Sequence, residues 1–259
     1  MLKEYRKHEE ERRTQGIPAL VLDAEQVADL VELIKEPPTG EDEFILDLFT
    51  NKVPAGVDQA AYVKAAFLTD VANGKVSTPL ITTEAATKLL GTMLGGYNVQ
   101  PLIALLDNEE VGDVAAEALT NTLLIFDAFH DVFELSKINK RANKVISSWA
   151  EAEWFLNKPV VPECITAKVL KVDGEINTDD LSPGPEAWSR PDIPLHALSM
   201  LKNTDFKDPI GTINKLEESG DPVAFVGDVV GTGSSRKSAT NSLLWHIGCL
   251  LYTSDAADE

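Results

Sequence analysis

The chain has 259 residues, of which 44% are hydrophobic and 25% charged, an ordinary composition for one or two globular domains. Its formal net charge of −19 disfavours nucleic acid and anionic membranes as partners, so an anionic ligand would need a local positive site. No run of about 18 apolar residues is present, and we expect no membrane span.

The cysteine content indicates a reduced, cytoplasmic protein without a disulfide framework. The two cysteines, Cys164 and Cys249, are too few to ligate an iron–sulfur cluster within this chain. The N-terminal segment MLKEYRKHEEERR is charged and lacks the apolar core of a secretory signal.

Residues 1 to about 158 have the periodicity of helices. In LDAEQVADLVELIKEPP, Asp23 and Gln26 have the spacing of a capping box. Apolar residues follow at i, i+3, i+4 and i+7, namely Val27, Leu30, Val31 and Ile34. The proline pair at 37–38 predicts the end of this helix.

Six further helical segments follow with short connections. They are EDEFILDLFTN, DQAAYVKAAFLTDVANG with Gly74 as its stop, TTEAATKLLGTML with a threonine cap, VQPLIALLDN, VGDVAAEALTNTLLIFDAFHDVFELSK and NKRANKVISSWAEAEWFLN. The unit length is typical of stacked helix pairs of about 40 residues, and an irregular helical bundle is the alternative.

The composition changes near Pro159. ITAKVLKVDGEINTDDLSP has the alternation and β-branched content of a strand with turns. We predict strands at 166–172 and 222–226 and a domain boundary within 158–165.

The most informative motif is GDVVGTGSSRKSATNS, Gly227 to Ser242, which follows the apolar run PVAFV and leads into LLWHIG. Its last residues begin a predicted helix over 236–247. Arg236 stands where both the Walker loop and the dinucleotide fingerprint G-x-G-x-x-G need their last glycine. A guanidinium beside backbone N–H groups at a helix start suits a carboxylate instead. A tight turn capped by serines is the alternative.

Two longer segments carry a resemblance to a known family. GEINTDDLSPGPEAWSRPDIPLHAL and GDVVGTGSSRKSATNSLLW resemble the swivel domain of the aconitase B family, and residues from EYRKHEEER to SSWAEAEWFLNKP resemble its HEAT-like helical domain. The resemblance implies an all-α HEAT-like domain at 1–160, followed by a truncated α/β swivel domain at 161–248.

The resemblance also implies a function for four residues. Ser234 would be the catalytic base, and Arg190, Ser235 and Arg236 would bind a tricarboxylate substrate: citrate, isocitrate or cis-aconitate. The family's enzyme is a lyase (hydro-lyase) of the tricarboxylic acid cycle that isomerises citrate and isocitrate, and it is expected to dehydrate 2-methylisocitrate as well. Paired guanidiniums fit a polycarboxylate, and a serine can act as a base only where dipoles stabilise its oxyanion.

The family's 4Fe-4S cluster is expected to be held by cysteines of later domains, so we predict no metal ligands here and an inactive fragment. A homodimer through the helical domain is implied. The alternative is a non-catalytic interaction module whose loop binds a small carboxylate. Extending the source nucleotide sequence downstream distinguishes the two: further cysteines in a C-x-x-C pattern would support the enzyme, and a stop codon directly after residue 259 would favour the module.

The last eleven residues, CLLYTSDAADE, do not resemble the family. Back-translated, they resemble a transposon-end sequencing adapter. We predict that natural sequence ends near Gly248 and that residues 249–259 are an artefact; a divergent acidic tail is the alternative.

Two further features of the second domain have a structural and a functional interpretation. His196 lies near Arg190 in the sequence and would either orient it or support the fold. Asp179 and Asp180 could form a general-acid pair, but a role in a turn, or in support of the loop, is favoured because adjacent residues of a strand face opposite sides.

Overall fold

The structure is a computed structural model that describes residues 1–122, 128–152, 156 and 163–248. The chain divides into two compact units. The first comprises Met1–Glu11 and Ala19–Val160, and the second comprises Arg12–Pro18 and Val161–Glu259. Within the described residues, no helix is both long and apolar enough to cross a bilayer.

The first unit is helical in the part that the structure describes. Its helices are α1 (Leu2–Arg13), α2 (Ala24–Lys35), α3 (Asp42–Asn51), α4 (Gln59–Ala72), α5 (Thr83–Gly91), α6 (Val99–Leu105), α7 (Gly112–Thr120), α8 (Phe129–Ser136) and α9 (Lys140–Glu151). The last two residues of α1, Arg12 and Arg13, are counted with the second unit. The prediction of a helical first part is confirmed.

Capping residues set the helix starts as the sequence predicts. The Asp23 carboxylate accepts a hydrogen bond from the Gln26 backbone N–H at 2.8 Å, and the Gln26 side chain accepts one from the Asp23 N–H at 3.0 Å. This reciprocal pair satisfies two backbone donors that a helix start leaves open. Thr82 caps α5 through a single hydrogen bond, which its hydroxyl accepts from the Ala85 N–H at 3.2 Å.

One expectation about the helices is wrong, and one helix was not singled out. The N-terminal segment, which falls in the predicted helical part but was not named as a separate helix, forms α1 with Tyr5 buried on its inner face. The stretch from Val111 to Lys137, predicted as one helix, contains the separate helices α7 and α8, and residues 123–127 between them lie outside the described residues.

One apolar core runs through the first unit. Phe49 is fully buried and meets Phe67 edge to face, with ring centroids 5.7 Å apart and planes at 89°. Val27, Leu30 and Ile34 of α2 are also fully buried, so the i, i+3, i+7 pattern read from the sequence marks the side that faces this core.

The second unit combines two strands with helices. Its elements are β1 (Lys168–Asn177), α10 (Thr178–Leu181), a 3₁₀ turn (Gly184–Trp188), α11 (Ile193–Ala197), α12 (Pro209–Glu217), β2 (Val223–Thr232) and α13 (Arg236–Ile247). β1 and β2 pair in parallel, which confirms an α/β unit after the helical one.

The strand pairing contains two irregularities. Val172 pairs with Gly227 and Glu175 with Val229, so two residues of β1 oppose Asp228 alone. The Asp228 carboxylate fills this bulge by accepting hydrogen bonds from the Lys171 Nζ and the Gly174 N–H, both at 2.8 Å. These contacts, the lysine first, hold the pKa of Asp228 below its usual value.

Both predicted strands are too short. The predicted 166–172 and 222–226 become β1 and β2, each ten residues long, because pairing continues across glycines that would end an isolated strand. The expected glycine loop is therefore reduced to residues 233–235. The predicted helix over 236–247 is confirmed as α13.

The core of the second unit lies between the strands and the helices. Its buried apolar residues are Leu170, Val172, Ile176, Leu181, Met200, Leu201, Ile213, Val223 and Ala239.

Candidate functional site

The candidate site lies where the two parallel strands end. β1 ends at Asn177 and β2 at Thr232, and these two residues are partners in the sheet. A helix follows each strand, α10 at once and α13 after the loop 233–235. In open parallel sheets, ligands bind at the carboxyl ends of strands, where helix N-termini present backbone N–H groups.

Asn177 organises the start of α10. Its side-chain oxygen accepts hydrogen bonds from the backbone N–H groups of Asp179 and Asp180, at 2.8 and 2.9 Å, and the Asp180 carboxylate accepts one from the Asn177 N–H at 2.9 Å. The premise that these two aspartates lie in a strand is wrong. They lie in a short helix, and Asp180 supports its cap.

Gly233 brings the loop against α10. A Cβ built at this glycine would lie 2.5 Å from the Thr178 Oγ1, well inside van der Waals contact, and its φ of +113° is a conformation that other residues rarely adopt. Only glycine therefore permits the loop to lie this close to the first residue of α10.

The predicted catalytic base follows this glycine directly. Ser234 and Ser235 are exposed, and Ser235 is the N-cap residue of α13 without a capping hydrogen bond from its side chain. Arg236 is the first residue of α13 and is partly buried. Ser234, Ser235 and Arg236 thus lie together at the N-terminus of a twelve-residue helix, where the macrodipole favours a negative group.

Arg190 reaches α13 from a different segment. It lines a pocket of about 150 Å³ together with Pro191, His196 and three residues from the first two turns of α13, namely Ser238, Asn241 and Ser242. Arg190 therefore shares a pocket with the helix that begins beside Ser234.

The Arg190 guanidinium is held by two contacts. Its Nε donates to the Glu186 carboxylate at 3.0 Å, and its Nη1 donates to the Leu195 carbonyl oxygen at 3.3 Å. His196 makes neither contact, because its Nε2 lies 2.9 Å from the Pro183 carbonyl oxygen and donates there. The His196 side chain thus lines the pocket, while its hydrogen bond to Pro183 supports the chain just before the 3₁₀ turn Gly184–Trp188.

The acidic side chains near this pocket are also partnered. Asp192 caps α11, since its carboxylate accepts a hydrogen bond from the Leu195 N–H at 2.8 Å. The other Asp192 oxygen lies 2.7 Å from Nη1 of Arg12, which belongs to the same unit. The Asp192 charge is thereby balanced within the unit.

Comparison with known proteins assigns the chain to a family. Residues 4–155 match the family profile described as the aconitate B N-terminal domain, and residues 167–251 match the one described as the aconitate hydratase 2 N-terminus. The first match alone covers more than half of the chain. The chain belongs to the aconitase B family.

Curated relatives of the family agree. Aconitate hydratase B of Escherichia coli K12 is 58% identical over 258 residues, covering 96% of this chain and 30% of the relative. Those of Synechocystis and Helicobacter pylori J99 are 58% and 50% identical, covering 96% and 95% of this chain and 29% of each relative. The chain thus spans about 30% of the length of these aconitase B proteins and corresponds to their N-terminal part.

The sequence interpretation missed four polar residues near the aconitase B motif. Glu186 and Lys202 contact each other beside Arg190, while Ser238 and Asn241 line the pocket. The i, i+4 spacing of Glu186 and Arg190 is a signal that could have identified the first. Lys202 lies twelve residues beyond Arg190, and no local pattern links them.

The described residues do not fit a 4Fe-4S cluster of the kind the family implies. Among them, no group of three or more histidine, cysteine or acidic side chains is arranged to hold a metal ion. Cys164 is exposed, and Cys249 lies outside the described residues, as does the whole tail 249–259. We derive no chemical step through a cluster.

Proposed function

We propose that this chain supplies the arginine and serine part of a tricarboxylate site in an aconitate hydratase, which interconverts citrate and isocitrate through cis-aconitate and also dehydrates 2-methylisocitrate. The observation that carries the proposal is the pocket that Arg190 shares with Ser238, Asn241 and Ser242 of α13, the helix that begins two residues after Ser234. Ser234, Ser235 and Arg236 are not among the residues that line this pocket. The names of the aconitase B relatives support the reaction.

Each residue has a role that follows from its chemistry. Arg190 and Arg236 bind substrate carboxylates through planar, permanently charged guanidiniums. Ser235 donates a hydroxyl hydrogen bond to the substrate. Ser234 accepts the proton from the carbon next to a carboxylate, and the N–H groups at the start of α13 stabilise its oxyanion.

Several finer statements belong to the same proposal. The first unit is a HEAT-like domain that pairs two copies of the protein, and the second is part of a swivel domain, with the boundary between residues 160 and 161. The acidic net charge supports a protein without nucleic-acid or membrane partners, and the cysteine content supports a cytoplasmic one. The isolated chain is inactive, since a 4Fe-4S cluster would need ligands from elsewhere.

A hybrid enzyme tests the catalytic role. Residues 1–248 of this chain replace the matching part of the Escherichia coli relative, and cis-aconitate formation from citrate is followed by ultraviolet absorbance. Ser234→Ala should lower kcat by roughly 10²–10⁴, the usual contribution of a general base, with KM little changed. Arg190→Lys should raise KM, because a lysine ammonium lacks the planar fork that makes two parallel hydrogen bonds to a carboxylate.

The matched control is Ser219→Ala, the same change at an exposed serine that hydrogen-bonds only its own turn and Asp221. It should leave both constants within about twofold of the hybrid. A Ser234→Ala hybrid with full turnover would refute the assignment of the base. The alternative of a non-catalytic module has less support, because the relatives above are named for an enzyme.

A further inference from the structure

A carboxylate bridges two cations beside the pocket. The Arg190 Nε donates to one Glu186 oxygen at 3.0 Å, and the Lys202 Nζ donates to the other. The side chain of Glu186 is only 20% exposed, and that of Lys202 is 54% exposed. Glu186 lies in the 3₁₀ turn Gly184–Trp188, so a backbone hydrogen-bonded turn carries the bridging group.

The bridge fixes the direction of the Arg190 fork. Glu186 takes the Nε–H and the Leu195 carbonyl takes one Nη1–H, so two of the five guanidinium N–H groups are used. Within the part of the chain that the structure describes, no hydrogen bond from Nη2 is found. The Nη1–Nη2 end is therefore the one available to a carboxylate in the pocket.

Charge explains why two partners are needed. A bare Arg190–Glu186 pair has no net charge, so Glu186 would cancel the attraction of Arg190 for an anion. Lys202 restores a net charge of about +1 to the group. Its hydrogen bond, followed by that of Arg190, also holds the pKa of Glu186 below the usual range.

We propose that Glu186 and Lys202 are positioning residues, which aim the Arg190 guanidinium at a substrate carboxylate and keep the local charge positive. The inference rests on the proposed function, in which Arg190 binds that carboxylate. It adds two residues that do not touch substrate themselves. Because partly exposed ion pairs contribute little to folding stability, substitutions here should leave the unit folded.

The test measures tricarballylate, an unreactive tricarboxylate, binding to the complete 259-residue chain. Binding is followed in ¹⁵N-detected spectra that include the arginine Nε–H signals. Lys202→Met should weaken binding about three- to tenfold, and Lys202→Arg should restore it to within about twofold. Lys215→Met, which removes an equal charge from an exposed position on α12, should change it less than about twofold.

Glu186→Met separates positioning from charge. If Glu186 acted through its charge alone, removing it would tighten binding of a trianion. Positioning predicts the opposite, a loss of about three- to tenfold, because Arg190 must then be ordered on binding. The Arg190 Nε–H should also exchange faster with water in this variant while the backbone amide spectrum is retained.

The outcomes separate the two proposals. If Arg190→Ala leaves binding unchanged, or the unsubstituted chain does not bind at high millimolar tricarballylate, the proposed function fails, and the positioning roles fail with it. If Arg190→Ala weakens binding while Glu186→Met tightens it or Lys202→Met has no effect, only the positioning roles are refuted. Should Glu186→Met lose its fold, the comparison of Lys202→Met with Lys202→Arg decides.

Discussion

Replacing Gly233 with alanine tests the contact that places Ser234 beside α10. The new Cβ would lie 2.5 Å from the Thr178 Oγ1 and 3.6 Å from its Cβ, so the clash is with the hydroxyl oxygen. Thr178 lies at the start of α10 with a relative exposure of only 4%, so its side chain cannot rotate away freely. Either the loop or the helix start must move.

The expected cost has two parts. A non-glycine residue at a φ of +113° costs about 1–3 kcal/mol, and forcing one extra carbon into a filled space costs about another 1–3 kcal/mol. Gly231 is a matched control, because its φ is +87° and no atom lies within 4 Å of its added Cβ. Gly231→Ala should thus show the first cost without the second.

Hydrogen exchange of the β1 and β2 amides measures the local free energy of opening in the second unit alone. Gly233→Ala should lower it by about 1–3 kcal/mol more than Gly231→Ala does. Adding Thr178→Ala to Gly233→Ala should remove most of that difference, because the clashing oxygen is gone. Equal effects of the two glycine substitutions, or no relief from Thr178→Ala, would refute the close contact.

Two further predictions concern the first unit. Asp23→Ala should lower the free energy of unfolding of this unit by about 1 kcal/mol through loss of the α2 cap. Asp29→Ala, in the middle of the same helix, should change it by less than about 0.5 kcal/mol. Urea unfolding followed by circular dichroism compares the two variants. Burial lowers the pKa of Lys64 to about 8, below the 10.5 of an unfolded lysine. As pH rises, the folded state therefore releases this proton before the unfolded state does. The first unit should gain stability as pH rises from about 8 to 10.5. The gain should be absent in Lys64→Met, and an equal pH dependence in the variant would contradict the assignment.

Local signals predicted the helices that carry them. Asp23 and Gln26 mark the start of α2 because a capping box acts through backbone donors three residues away, within reach of any sequence window. Helix α1 was not identified as a separate helix because its sequence, LKEYRKHEEERR, is nearly all charged and has no apolar periodicity. The burial of Tyr5 depends on contacts with later parts of the unit. Its hydroxyl donates to the Leu20 carbonyl at 2.7 Å, fifteen residues away.

The strand ends could not be predicted from local sequence either, because they depend on pairing between segments that are distant in the sequence. Gly227 and Gly231 lower the strand propensity of β2, and only pairing with β1 keeps this segment extended. Gly231 has no partner, since Val230 pairs with Ile176 and Thr232 with Asn177. It is the extra residue of a bulge, so the strand continues to Thr232 and delivers the loop to the site.

The candidate site shows the same division between local and long-range information. Ser234, Ser235 and Arg236 are adjacent in the sequence, so one motif suffices to group them. Arg190 lies 44 residues before Ser234, and its place beside α13 follows from the fold of the unit. A resemblance over the whole chain supplies that long-range information where spacing does not.

The same reasoning separates recognition from orientation. An arginine can be assigned to a carboxylate from its chemistry alone, whereas the direction of its fork depends on which N–H groups the protein already uses. Glu186 and the Leu195 carbonyl use one each, on Nε and Nη1. Because Lys202 offsets the Glu186 charge, the orientation of the Arg190 guanidinium is fixed without loss of the positive charge that attracts an anion. A neutral acceptor at position 186 would leave the same net charge without the need for Lys202.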